Sequence, residues 1–149
     1  LTERMSISKE GYVLNPDRPA FDVTVSNGAI AQGNTIVFND ADWNNGNHYN
    51  NSNGKFTAPI TGTYFFYFGG LKDNTTGVAR MKLLKNDGSY VHNREFRLDT
   101  TSSNSYGENA SMSIICSLNS GNTVEVRVTE GTIYGGSDGY TYFGGYLLS

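Results

Sequence analysis

The chain has 149 residues with eleven Lys and Arg against fourteen Asp and Glu, a net charge of −3. That is the length of one domain, with a core that hides roughly 70% of the unfolded surface. The thin scatter of basic residues excludes the electrostatic footprint of a nucleic-acid or anionic-membrane binder. No apolar run reaches the roughly 20 residues that cross a bilayer as a helix, so the chain is not expected to be membrane-embedded.

The amino-terminal "LTERMSISKEG" lacks a signal-peptide pattern and opens on Leu1 rather than Met, as expected of a segment cut from a longer chain. Met5 to Ser8 and Tyr12 to Leu14 predict two short strands around a Lys9-Glu10-Gly11 turn, and Pro16 and Pro19 then extend the backbone. Residues 1–19 therefore read as a hairpin and linker to a stalk, and residues 20–149 as a globular domain. A lone two-stranded hairpin is marginal in water, so this one is expected to lean on a neighbouring copy or on the end of a stalk.

From residue 20 onward the dominant period is two. Strands are predicted at 21–25, 34–38, 54–58, 63–68, 79–85, 89–98, 109–118, 122–130 and 140–148, with "DWNNGNHYNNSN" (42–53) as a loop. Asn-Asp-Gly at 86–88, Ser-Gly-Asn at 120–122 and "GGSDG" at 135–139 supply turns, because Gly and Asn accept positive φ cheaply. No segment carries a helical stripe, so the fold class is an all-β sandwich of antiparallel strands. His92 falls at a solvated or hydrogen-bonded strand position. Cys116 reads as a small buried apolar side chain, and as the sole cysteine it excludes an intrachain disulfide.

The run "TYFFYF" (63–68) breaks the alternation of apolar with polar. Tyr64, Phe66 and Phe68 are expected to face the opposing sheet, which leaves Phe65 and Tyr67 on a face that needs a second cover. Identical neighbouring copies supply that cover; loops folded back over the face are the alternative.

Phe38, Asn44, Tyr49, Phe56, Gly62, Tyr64, Phe66 and Phe68, with five, four, six, five, one, one and one residues between them, resemble the signature of the globular-head family of complement C1q. "YFGGYLLS" at 142–149 is similar to the family's closing strand and "RPAF" at 18–21 to its opening. The resemblance implies a ten-stranded jelly roll of the tumour-necrosis-factor type that assembles as a homotrimer, with Phe65, Tyr67, Tyr142 and Tyr146 joining Tyr64, Phe66 and Phe68 in core and trimer interface. Gly62 is expected to allow a tight corner after Pro59. The leader "ERMSISKEGYV" (3–13) resembles a segment that precedes carboxyl-terminal domains of phage tail fibres. That implies a virion protein whose tip attaches to a host-surface glycan or outer-membrane receptor. A secreted animal recognition or signalling head, and a purely structural trimerisation domain, are the competing readings.

No nucleophile elbow, zinc-binding helix, Cys pair or phosphate-cradling loop occurs, so an enzyme is not expected. Loops rich in Asn, Ser, Gly and Tyr suit glycan contact, because rings stack on sugar faces and short amides adapt their hydrogen bonds. The candidates are Trp43, Asn47, His48, Asn51, Tyr106, Tyr134, Asp138 and Tyr140. The resemblance also points to Asp99 and Glu108 as a weak Ca²⁺ pair, with solvated loop carboxylates as the bland alternative. No other cofactor is implied.

Overall fold

Period-two patterning becomes strand everywhere but at 34–38, and no helix occurs among the described residues of the computed structural model, which are 5–74, 77–86, 88–100 and 108–149. In chain order the strands are β1 (Ser6–Ile7), β2 (Val13–Leu14), β3 (Ala20–Thr24), β4 (Ile30–Ala31), β5 (Asp40–Asn45), β6 (Tyr49–Asn50) and β7 (Lys55–Thr57). They continue as β8 (Gly62–Leu71), β9 (Gly77–Lys85), β10 (Ser89–Thr100), β11 (Asn109–Leu118), β12 (Thr123–Glu130), β13 (Thr132–Ile133) and β14 (Tyr142–Leu147). Two five-stranded sheets, ordered β11-β8-β14-β3-β5 and β10-β9-β12-β7-β6, form the sandwich, and β1-β2 and β4-β13 are small ribbons.

The core lies between the sheets. Tyr64, Phe66 and Phe68 are each 0% exposed on its inner side. Phe21 stacks on Tyr49 at 5.1 Å and on Phe56 at 5.0 Å, and meets the edge of Phe143 at 4.9 Å. Phe143 also touches the rings of Phe38 and Phe66, so strands from both sheets converge on one aromatic cluster.

Three expectations are corrected. Residues 34–38 do not form a strand: apart from an isolated bridge between Thr35 and Arg127 they run as extended chain, although Ile36 and Phe38 are fully buried. Their amides find other partners, Ile36 donating to the Val126 carbonyl at 2.8 Å and Phe38 to the Tyr49 hydroxyl oxygen at 3.0 Å. The stretch 42–53 is not all loop, because β5 pairs with β3 and β6 with β7. Edge pairing overrides the weak strand propensity of Asp and Asn there. Gly62 has no positive φ; a Cβ at that position would lie 2.6 Å from the Ser149 carbonyl oxygen, so close approach of the carboxyl-terminal chain, not a turn, excludes a side chain. Cys116 is half-buried at the margin of the core, where burial pushes its thiol pKa up.

Replacing Phe143 by Ala removes the ring shared by Phe21, Phe38 and Phe66 and is expected to cost about 3–5 kcal/mol. Urea unfolding of the variant measures the loss; a change well under 1 kcal/mol would contradict a close-packed aromatic centre.

Candidate functional site

On the side of β8 away from the core, the alternate residues Phe65 and Tyr67 come into register with Tyr146 and Gly144 of β14 and with Ile115 and Ser113 of β11. Phe65 lies 5.3 Å from the Tyr146 ring and 6.2 Å from Tyr67, and Tyr67 lies 6.3 Å from Tyr142. Glycines let these rings lie flat. A Cβ at Gly144 would stand 2.3 Å from Tyr67 Cζ, and one at Gly69 would stand 2.5 Å from Tyr142 Cζ. The four rings remain half-exposed, and Trp43 and Ile115 at the two sides of the face are 59% and 55% exposed. Among the seven aromatics singled out from the sequence, Tyr64, Phe66 and Phe68 are thus core residues, while Phe65, Tyr67, Tyr142 and Tyr146 share this outer face.

Toward β3 and β5 the face sinks into a hollow of about 480 Å³ lined by Arg18, Asp22, Trp43, Asn45, Tyr67 and Tyr146. The Arg18 guanidinium sits 5.2 Å from the Tyr146 ring centre, and its Nε donates to the Leu147 carbonyl. The Tyr67 pKa is pushed up to about 12, first by burial and then by the Asp22 carboxylate, which like Tyr67 stands opposite Gly144. Asp22 and Arg18 were not singled out from the sequence. The signal was there, since alternation in "FDVTV" turns Asp22 away from the core that holds Phe21 and Val23.

The loop candidates do not form one site. Asn47, in a left-handed conformation, and His48 lie in the β5–β6 turn, where His48 borders a hollow with Asp17, Arg18 and Ile60. Burial lowers the His48 pKa. Asn51 is exposed in the turn between β6 and β7, and Trp43 belongs to the outer face. Tyr134, Asp138 and Tyr140 gather at the opposite end of the sandwich, about 30 Å away along the ten residues of β8 at ~3.3 Å per residue. There the Tyr134 hydroxyl donates to Asp138 Oδ2 at 2.6 Å, the Tyr134 and Tyr140 rings lie 6.4 Å apart, and Asn109 Nδ2 donates to the Tyr140 carbonyl at 3.3 Å. Tyr106 lies outside the described residues.

Asp99 and Glu108 are neighbours at that same end. The Asp99 amide donates to Glu108 Oε2 at 3.4 Å, but the Asp99 carboxylate pairs with Arg97 at 3.0 Å. Among the described residues no group of three or more His, Cys, Asp or Glu converges to hold a metal. His92 Nε2 lies 3.0 Å from the Ile115 carbonyl oxygen.

A family model of the C1q domain matches residues 20–148. Complement C1q tumor necrosis factor-related protein 3 of Homo sapiens is 26% identical over 87% of this chain and 50% of its own length. Caprin-2 of Danio rerio is 32% identical over 76% of this chain and 12% of its own length. This chain therefore spans half or less of these curated relatives. Among solved structures, the globular domain of a zebrafish complement 1qA protein superposes with a TM-score of 0.68 at 18% identity, over 89% of this chain and 98% of that one. The Eiger TNF of S. frugiperda follows at 0.67 and 13% identity, over 89% and 94%. At such identities these two report the fold.

The burial of Tyr67 beside Asp22 has an alkaline signature. The folded pKa of Tyr67 lies above its ordinary value of 10.0, so the stability it contributes is whole below pH 10 and is lost as pH climbs through about 12. Tyr67→Phe is expected to flatten the fall of the urea midpoint over that interval; equal slopes for both proteins would contradict the raised pKa of the Tyr67 hydroxyl.

Proposed function

This chain belongs to the C1q-domain family, and from that membership we propose that it is a homotrimeric, non-enzymatic recognition head that works outside the cell. The observation that carries the assembly is the outer sheet face. It presents Phe65, Tyr67, Tyr142, Tyr146, Trp43 and Ile115 as one apolar surface, which a monomer would leave in water. A ring of three copies, each resting that face against the next, removes it from solvent without leaving an open edge for further growth.

Recognition falls to the end of the sandwich that carries Tyr134, Asp138 and Tyr140. It lies away from the amino-terminal strands, so a stalk joined at residue 1 leaves it facing outward. Tyr140 and Asp138 are both exposed, next to Asn109. A ring, a carboxylate and an amide within one patch suit a saccharide, with the ring against the sugar face and the polar groups taking its hydroxyls. Three weak sites on one particle raise avidity without any being tight. The family match and the similarity to complement C1q tumor necrosis factor-related protein 3 support a secreted setting for such a head.

A second setting, the tip of a phage tail fibre attaching to a host glycan or outer-membrane component, is favoured by the leader. Ser8 accepts from the amides of Gly11, through its carbonyl, and of Glu10, through its hydroxyl, which closes the β1–β2 hairpin. Met5, Ile7, Tyr12 and Val13 are 66–70% exposed on that hairpin, a surface that three copies wound together at the end of a fibre would cover. A head that only trimerises its stalk is the remaining alternative.

Sedimentation equilibrium is expected to give three times the 16.3 kDa chain mass, and Tyr146→Asp on the outer face is expected to give single chains. A wild-type protein that stays single at every concentration would overturn the assembly. Tyr140→Ala and Asp138→Ala are expected to keep the trimer and lose at least about tenfold in retention on a glycan array, since avidity multiplies the loss at each site. Unchanged retention on any glycan the wild type binds would leave only the scaffold role.

A further inference from the structure

A threefold ring is heterologous: it joins two different patches of each copy. The outer face of this chain has two different halves. Toward β3 and β5 lies the hollow with Asp22 in its lining. Toward β11 lies the edge of the sandwich, where β10 of the other sheet folds across.

That edge is unusual. Tyr90 pairs with Leu84 and Glu95 with Lys82, so the four residues Val91 to Arg94 stand opposite Leu83 alone. Within this bulge two consecutive non-glycine residues, His92 and Asn93, hold left-handed conformations with φ of 57° and 49°. Such backbone is costly and persists only where surrounding contacts fix it. Val91 anchors the near end in the core, and His92 Nε2 reaches the Ile115 carbonyl of β11. The consequence is the position of Arg94. Instead of following the charge ladder of β9 and β10, where Arg80 and Lys82 both pair with Glu95, it emerges exposed beside Phe65, Ser113 and Ile115 of the outer face. Bulges that re-aim one side chain at the margin of a sheet are a recurrent device.

Arg94 makes no ion pair among the described residues, and neither does Asp22, which stands beside Tyr67 across Gly144. One half of the face thus projects an unpaired cation and the other sinks an unpaired carboxylate between two rings, Trp43 in register opposite it and Tyr67 lining the same hollow. Taking the trimer as above, we propose that Arg94 of each copy enters the hollow of the next and pairs with its Asp22, its planar guanidinium lying against the Trp43 and Tyr67 rings. Arginine rather than lysine fits this seat, because the flat delocalised cation can stack and fork to a carboxylate together. Arg18 does not compete, since it is directed to the carbonyls of Leu147 and Leu148. The hollow, on this assignment, is a binding site completed by the neighbouring chain.

The test is a charge swap read by sedimentation over a dilution series. Arg94→Glu and Asp22→Arg singly are each expected to raise the concentration of half-dissociation about tenfold or more. The double variant, which restores opposite charge across the contact, is expected to recover most of that loss. Both sites lie at the surface, and matched circular dichroism of the dilute monomers shows that each variant folds. A wild-type trimer with single variants that dissociate no more readily, or a double variant no better than either single one, overturns the Arg94–Asp22 contact while leaving the trimer standing. A wild type that never trimerises overturns both.

Discussion

The whole molecule follows from one strand that has no polar side. In β8 the alternation that gives a sheet one wet and one dry face is suspended, and rings point both ways from Tyr64 to Phe68. Inward, Tyr64, Phe66 and Phe68 set the level at which the second sheet can approach, and Phe21, Phe56 and Phe143 fill the space at ring-contact distances. Outward, Phe65 and Tyr67 oblige the neighbouring strands to be either ring-bearing or bare. Tyr142 and Tyr146 answer the first need, Gly69 and Gly144 the second.

The eight spaced positions that mark the family describe one physical arrangement more than a list of core residues. Asn44 is the hinge of it. Its side-chain amide donates to the Tyr49 carbonyl at 2.8 Å and accepts from the Tyr49 amide at 3.2 Å, which clamps the turn between β5 and β6. The clamp drives the Tyr49 ring into the core, where its hydroxyl accepts from the Phe38 amide, a buried donor in a segment that is not itself a strand. Burial holds the Tyr49 hydroxyl well above its ordinary pKa, consistent with a phenol that serves as a neutral structural acceptor.

Much of this was legible in the chain and some was not, for identifiable reasons. The alternating strands at 79–85 and 109–118, and the split of the aromatic run into two faces, follow from period and residue type alone. The polar edge strand β5 was hidden because "DADWNN" has poor strand propensity and gains its hydrogen bonds only from β3. Conversely, "NTIVF" alternates well enough to be a strand and is none, since a tyrosine hydroxyl and a few carbonyls take its backbone groups. The candidate loops shared a composition that suits turns and ligands equally, so composition alone grouped Asn47 and His48 with Tyr134 and Tyr140, which the fold sets at opposite ends. The bulge at His92 and Asn93 left no local mark: "YVHNREF" reads as plain alternation, and only pairing with β9 reveals three surplus residues.

Folding and assembly separate cleanly on this architecture. Every ring of the inner cluster is closed off by residues of its own chain, with Phe66, Phe143 and Tyr64 at 0% exposure, so a single copy already holds a complete core. The outer rings are different, because each is covered on one flank by a neighbouring ring of the same chain and left open above. A face built that way loses little if it stays briefly wet and gains if another chain arrives, since rings already fixed in place surrender little side-chain freedom on contact. The proposed assembly therefore asks three folded heads to meet, not three unfolded chains to interlace. What such preformed faces need from their polar groups is choice of register more than additional strength, and a single cation set against a single carboxylate between flat rings can provide it.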